Sequence, residues 1–235
     1  MMVVSVVVGA TSGDAELQAM ADLANSLSGR QPQRRYTTIV VDPPWAYQQK
    51  WMQAGKGNAL THDGLAGVFD GGIRGAAAHY ACMSLDEISA MPIGEWAEAD
   101  SHLYLWTTNA FIPHAFDIIR SWGFDYKTKI TWIKRGLGMG MYFRNTTEDV
   151  LFAVRGNLKL LRRDLPTHIM TRRRPHSSKP PEFYEMFESA SPGPRLDVFA
   201  RGWHPGFDQW GDEVGAPPGL PTPDQVRARV KQAST

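Results

Sequence analysis

The run Thr37 to Val41 is short, apolar and rich in β-branched residues, and it ends abruptly in Asp42-Pro43-Pro44-Trp45. Two consecutive prolines remove two backbone donors and fix φ twice, so no strand or helix continues through them. The run therefore reads as a buried strand that stops at a rigid turn. That places the four residues at the carboxyl end of a sheet, where open α/β folds bind their ligands. The rest of the chain alternates in the same manner. Strands are expected at Val3–Val8, His102–Thr107, Thr128–Ile133, Asp149–Val154 and Leu196–Phe199. Helices or helical turns are expected from Asp14 to about Leu27, over Leu85–Trp96 and Ala110–Trp122, and from Lys179-Pro-Pro181 to about Ser189. Such alternation predicts an α/β fold on a largely parallel sheet. One domain is expected over residues 1–214. It includes a long glycine-rich loop at 46–79 and a basic loop at 159–179, and a Pro-rich tail at 215–235 is expected to be flexible, with Val226 to Lys231 as a candidate short helix. Gly9 to Gly13 follows the first strand but lacks the spacing of either nucleotide fingerprint, so it reads as a strand-to-helix turn.

The turn offers one carboxylate, carbonyl acceptors without competing donors, and a flat aromatic. This set suits an exocyclic amine on a planar base. Asp42 and the Pro43 carbonyl can each accept one N–H of such an amine, and Trp45 can stack on the ring. Read structurally, the same four residues are a stiff strand-terminating turn with a packed tryptophan. The amine of adenine is a poor nucleophile because its lone pair is delocalised into the ring. Two acceptors on its hydrogens draw the nitrogen toward tetrahedral geometry, and a methyl donor in line then needs mainly positioning.

Composition narrows the chemistry. Lys and Arg number 25 against 24 Asp and Glu, a net charge of +1, so the surface as a whole is not built for polyanions. One segment departs from this. Lys159 to Lys179 holds Lys159, Arg162, Arg163, Arg172, Arg173, Arg174 and Lys179 against the single acid Asp164. A stripe of this kind beside an active site would hold phosphates; alone it would be a solvated loop. Cys82 is the only cysteine, which excludes a disulfide framework and a Cys-rich zinc site. It reads as a small buried residue rather than a nucleophile. The scattered histidines His62, His79, His102, His114 and His204 show no metal-ligand spacing, so no metal is expected. Trp96, Trp106, Trp122 and Trp132 lie in apolar patterns and are expected in the core, whereas Tyr47 and Trp51 are candidates for base contacts. With neither a leader nor a membrane-length apolar run, the chain is expected in the cytoplasm.

Asp42-Pro43-Pro44-Trp45 resembles the signature of the DPPW family of N6-adenine methyltransferases. That family includes the catalytic subunit of the mRNA N6-adenosine methyltransferase and bacterial and phage DNA-adenine enzymes. The similarity runs in order from about Tyr36 to Val214. It continues through Tyr80-Ala-Cys-Met-Ser84, Leu103-Tyr-Leu-Trp-Thr-Thr-Asn109, Trp122-Gly-Phe124 and Ile130-Thr-Trp-Ile-Lys134. Glu148-Asp-Val-Leu151, Val154-Arg-Gly-Asn157, Ser177-Ser-Lys-Pro180 and Ser191-Pro-Gly193 follow, and Leu196-Asp-Val-Phe-Ala-Arg201 and Trp210-Gly-Asp-Glu213 complete it.

The resemblance implies a Rossmann-like methyltransferase dependent on S-adenosyl-L-methionine, with the catalytic motif ahead of the donor-binding motif. It implies catalytic roles for Asp42, Pro43, Pro44 and Trp45, and a target-adenine pocket of Tyr47, Tyr80 and Glu148. The donor falls to Lys179, Asp197, Val198, Phe199, Arg201, Asp212 and Glu213. Arg162, Arg163, Arg172, Arg173 and Arg174 are the expected nucleic-acid contacts. The sequence departs from the family at Asp212, where asparagine is usual, at Ser178, where some members carry histidine, and in the length of the glycine-rich loop. The implied substrate is DNA, with RNA as the alternative, or else a nucleic-acid-binding role that needs a partner for activity. A homodimer would enlarge the footprint on DNA. A restriction partner is compatible with the sequence, but no residue supports one.

Overall fold

In a computed structural model describing residues 34–46, 82–136, 143–172 and 178–233, the apolar run forms β1 (Tyr36–Val41) at the heart of a sheet. The first strand and helix expected from the sequence, most of the glycine-rich loop, Tyr47, Trp51, Tyr80, Arg173 and Arg174 lie outside the described residues. The other strands are β2 (Ala97–Thr107), β3 (Asp125–Arg135), β4 (Thr147–Arg155), β5 (His168–Arg172), β6 (Arg195–Val198) and β7 (Asp208–Trp210). Their order is β5-β3-β4-β2-β1-β6-β7. Only β4 runs against its neighbours, pairing antiparallel with β2 and β3; the other pairings are parallel. The expected α/β architecture is present.

A period of two divides the strands between two cores. On one face Ile39, Val41, Leu103, Leu105, Leu151, Leu196 and Val198 meet the helices α1 (Leu85–Ser89), α2 (Ile93–Trp96) and α3 (Ile112–Ser121). On the other, Val40, Tyr104, Trp106, Ile130, Trp132, Val150 and Phe152 pack on Phe183, Tyr184, Met186 and Phe187 of α4 (Pro181–Ala190). The local signals explain the helix boundaries. Ser84 and Glu87 form a reciprocal capping box at the start of α1. Pro92 divides α1 from α2, which split the helical segment expected over Leu85–Trp96. Pro181 opens α4, where a missing N–H costs nothing. The four tryptophans expected in the core are all buried.

Three expectations need correction. The segment 159–179 is not one loop, because β5 forms inside it and pairs with β3 as an edge strand. Cys82 is exposed; it lies just ahead of Met83, which bridges to Trp45, and its side chain stays outside the core. The tail is not free. It carries α5 (Pro223–Ala233), whose Val226 and Val230, one helical turn apart, are 2 % exposed and join the first core together with Leu220. Arg229 of α5 also pairs with Glu95 of α2 at 2.9 Å. The sequence of α5 is polar apart from this narrow stripe, which is why composition alone pointed to a loose end. Among the described residues no helix is long and apolar enough to cross a membrane.

A polar chain crosses the second core at the far end of the sheet. His102 Nε2–H donates to the Leu158 carbonyl at 3.2 Å, which leaves Nδ1 to accept from Ser191 Oγ at 2.8 Å. Ser191 Oγ in turn accepts from the Tyr104 hydroxyl at 2.7 Å. Burial holds the His102 pKa below its ordinary value and pushes the Tyr104 phenol up to about 12.

Two measurements check these packing arguments. Replacing Val226 and Val230 together by alanine removes about 3 kcal/mol of buried apolar contact and should lower Tm by roughly 6–12 °C. An unchanged Tm would place α5 off the core. For His102, the unfolded chain takes up its proton first as pH falls below about 6.5, so the imidazole network loses stability through that window. Denaturant unfolding should show wild type losing more stability than His102→Gln between pH 7.5 and 5.5.

Candidate active site

Because β4 is antiparallel to its neighbours, its first residues lie beside the last residues of β2 and β3. The carboxyl ends of β1, β2, β3 and β6 and the amino end of β4 thus share one rim. In register, Thr107 faces Asp149 and Trp132 faces Glu148, while Val41 is flanked by Leu105 and Val198. Alternation then sends Asp42, Glu148 and Lys134 to the same side as α4.

Lys179 enters this side from the segment just before α4. Its Nζ lies 2.9 Å from Asp42 Oδ2 and 3.5 Å from Glu148 Oε2. The Lys134 ammonium contacts the other oxygen of Glu148. The result is an alternating chain, Lys134–Glu148–Lys179–Asp42. The aromatic floor adds to it, with Lys179 Nζ 4.9 Å from the Trp106 ring centre and Lys134 Nζ 4.4 Å from that of Trp132. Burial alone would raise the Glu148 carboxyl, but Lys179 and Lys134 outweigh it and hold the pKa below its usual value. Burial likewise opposes the charge on Lys179, yet Asp42 and Glu148 raise its pKa overall. Glu148 and Lys179 thus each favour the charged form of the other.

The backbone of the turn is tied down on both sides. The Asp42 N–H donates to the Val198 carbonyl at 3.2 Å and the Met83 N–H to the Pro44 carbonyl at 3.0 Å. The Pro43 carbonyl accepts the Trp45 N–H at 2.9 Å, which leaves one lone pair for a ligand. Trp45 does not stand free to stack on a base. It is 7 % exposed, stacks on Phe111 at 4.9 Å and 16°, and donates its indole N–H to the Trp106 carbonyl. Its part here is to brace the turn.

On the other side of Asp42 a cleft is lined by Asp42, Pro44, Phe199, Ala200, Arg201, Asp212 and Glu213. Four of the residues assigned to the donor by resemblance, Phe199, Arg201, Asp212 and Glu213, meet there. Lys179 reaches the same carboxylate from the opposite side. Two others do not face the cleft. Val198 packs in the first core. Asp197 is 1 % exposed and accepts from the Tyr184 hydroxyl at 3.1 Å and from His204 Nδ1 at 2.8 Å. Burial raises its pKa against those two partners.

The cleft wall owes its shape to two backbone features. Phe199 has φ of 64°, a left-handed conformation that an L side chain rarely adopts and that marks functional turns. Gly211 packs so closely on the chain that a Cβ there would lie 2.6 Å from the Ala200 carbonyl oxygen, which accounts for the Trp-Gly-Asp order. The departure at Asp212 has a partner: Arg227 of α5 pairs with it and with Asp224.

The basic stripe is divided in space. Arg162 pairs with Asp164 at 2.7 Å, and the neighbouring Leu161 N–H donates to the Ala190 carbonyl at the end of α4. Lys179 precedes the start of the same helix, about 15 Å away at 1.5 Å per residue. Arg162 and Arg163 therefore sit at the opposite end of the sheet from Asp42, whereas Arg172, the last residue of β5, belongs to the site's end. Sequence reasoning gave no role to Lys134, although a lysine closing the apolar alternation of β3 was visible. No group of three His, Cys, Asp or Glu that could hold a metal occurs among the described residues.

Removing the shared ammonium tests the charge chain. Lys179→Met leaves two partly buried carboxylates underneutralised and should cost about 3 kcal/mol at pH 8. Protonation of a carboxyl relieves that strain, so the penalty should shrink by pH 5.5. A pH-independent penalty in urea unfolding would refute the coupling.

Comparison with known proteins gives the chain's family. The MT-A70 family profile matches residues 36–213. A type II methyltransferase, M.MunI of Mycoplasma sp., is 29 % identical over 187 residues, covering 78 % of this chain and 79 % of its own. A probable N(6)-adenosine-methyltransferase, MT-A70-like, of Oryza sativa subsp. japonica is 28 % identical over 167 residues, 66 % of this chain and 23 % of its own. The human N(6)-adenosine-methyltransferase catalytic subunit METTL3 is 27 % identical over 132 residues, 52 % of this chain and 23 % of its own. The chain thus matches about a quarter of the length of these adenosine methyltransferases and most of the type II enzyme. A profile match over three quarters of its length, meeting at a rim that gathers Asp42, Glu148, Lys179 and the Phe199–Glu213 cleft, makes this chain a member of the MT-A70 methyltransferase family.

Proposed function

We propose that this protein transfers the methyl group of S-adenosyl-L-methionine to the N6 amine of adenine in DNA. The observation that carries the reading is the position of Asp42, between the Lys179–Glu148 pair and the cleft of Phe199, Arg201, Asp212 and Glu213. The residues of that cleft suit the donor. Arg201 offers a cation for its carboxylate, Glu213 and Asp212 offer acceptors for ribose hydroxyls, and Phe199 offers an apolar wall, while Lys179 reaches Asp42 from the opposite side. When bound, the donor supplies an electrophilic sulfonium methyl group.

The chain's own residues then act on the amine. Lys179 Nζ holds Asp42 Oδ2 at 2.9 Å, and the carboxylate accepts an N–H of the amine. The free lone pair of the Pro43 carbonyl accepts the second N–H. Both contacts concentrate the nitrogen lone pair, and the rigid turn fixes its direction. Glu148 stands on the far side of Lys179 and is placed to bound the adenine pocket. A duplex adenine must be flipped out to reach this depth. DNA is the first choice because the similarity to the type II methyltransferase extends over most of both chains. RNA is the second reading, favoured by the relatives named as N(6)-adenosine-methyltransferases.

Purified protein with labelled S-adenosylmethionine and unmethylated duplex DNA, single-stranded DNA and RNA should yield N6-methyl-deoxyadenosine by nucleoside mass spectrometry. Asp42→Ala should lose at least a hundredfold in turnover, in the range of a lost oxyanion-type contact, while donor binding changes little. Product confined to RNA would replace the substrate and keep the chemistry. Donor binding without product on any substrate would favour a subunit that needs a partner.

A further inference from the structure

Two arginines stand side by side where β3 and β5 end. In the parallel register of these strands Arg135 and Arg172 are Cα partners, one step beyond Lys134 and Thr171. The Lys134 face carries Trp132, whose indole donates to Thr171 Oγ1, so Arg135 and Arg172 share the opposite face. Both are exposed, and neither makes an ion pair among the described residues. Arg144 joins them. It lies two residues before Thr146, whose carbonyl accepts the Lys134 N–H at 2.7 Å, and it too is exposed without an ion pair there.

This corner is unlike most of the described surface. Arg34 pairs with Asp208, Arg120 with Asp117, Arg162 with Asp164, Arg195 with Glu188, Arg227 with Asp212 and Arg229 with Glu95. The two carboxylates that open the adjoining strand β4 are already engaged. Glu148 serves Lys134 and Lys179, and Asp149 serves Lys129 at 3.0 Å. Like charges directly across neighbouring strands destabilise a sheet. An uncompensated pair on an edge strand is therefore a stability cost that a polyanion would relieve.

We infer that Arg135, Arg172 and Arg144 form a phosphate clamp for the nucleic-acid backbone flanking the target base, a surface that deepens the substrate reading above and rests on it. The strand order sets its reach. β3 is three strands from β1 and β5 is four, about 14–19 Å at 4.8 Å per strand. At 3.4 Å per nucleotide along one strand this span is at least about four to six nucleotides from the base at Asp42, because the backbone also crosses the rim from the Asp42 face to the opposite one. The clamp thus grips one flank of the target. Arg162 and Arg163, at the far end of the sheet, take no part.

The test measures binding of fluorescent 24-mer duplex DNA by anisotropy across a salt series, without donor, for wild type, Arg135→Gln/Arg172→Gln and Arg162→Gln/Arg163→Gln. Two lost phosphate contacts should flatten the slope of log K against log salt by about 1.8 in the first variant. Affinity should fall at least tenfold near 0.15 M salt, and the Arg→Lys version should restore most of it. The second variant should match wild type. The penalty should vanish on oligonucleotides carrying a single nucleotide on each side of the adenine. An unchanged slope and affinity in the Arg135/Arg172 variant would overturn the clamp, as would no binding by wild type or a penalty independent of oligonucleotide length. A length-dependent penalty without any methyl transfer by wild type would keep the clamp and reject the proposed reaction. Both arginines are exposed, so Tm should hold or rise; a fall would mean a structural role and overturn the inference.

Discussion

A single ammonium, Lys179 Nζ, is held between carboxylates that arrive from opposite directions in the chain. Asp42 ends the central strand and Glu148 opens the antiparallel one, and the lysine lies over Trp106 between them. A charge this sheltered survives only if its partners are fixed, and fixing them fixes the ends of β1 and β4. With those ends set, the Pro43-Pro44 turn has one place to go, toward Met83 and Phe111. The cleft beyond Asp42 is bounded by the left-handed turn at Phe199. The charge chain and the sheet rim are thus one electrostatic problem with one solution.

The wall on the cleft side depends on a less obvious element. Arg227 of α5 holds Asp212, while Val226 and Val230 of the same helix anchor in the core. Where the wider family is expected to carry a neutral amide, this chain places a carboxylate and supplies a guanidinium from its last helix. The substitution is local in sequence, but its compensation lies 15 positions away and depends on α5 being docked.

What could be read from the sequence follows from how much signal each element carries alone. β1 and its turn were legible because β-branched residues and two prolines act within eight positions. The start of α4 was legible for the same reason, through Pro181. β7 has three residues and no period to detect, and β5 was hidden because arginines and a histidine on an exposed edge look like a loop. A short helix at Val226 to Lys231 was a candidate, but its docking was hidden because three apolar side chains suffice for it. Asp42, Glu148 and Lys179 could be gathered only through resemblance, since no spacing rule links positions so far apart. The placement of Trp45 against Phe111, and the separation of Arg162 from Arg172 by the length of β5, are three-dimensional facts with no local signature.

The direction of β4 carries a consequence for how the molecule comes into being. Because one antiparallel strand brings its beginning to the rim where the six others end, the charge chain joins residues 42, 134, 148 and 179, and the cleft adds residues 199 to 213. No contiguous half of the chain contains the whole constellation. Closing loops of this size costs entropy before any ion pair rewards it, which favours slow folding with late assembly of the rim. A ribosome-bound chain would hold most of its sheet while its reactive centre was still incomplete. The proposed site is thus complete only once strands from both ends of the described chain have paired.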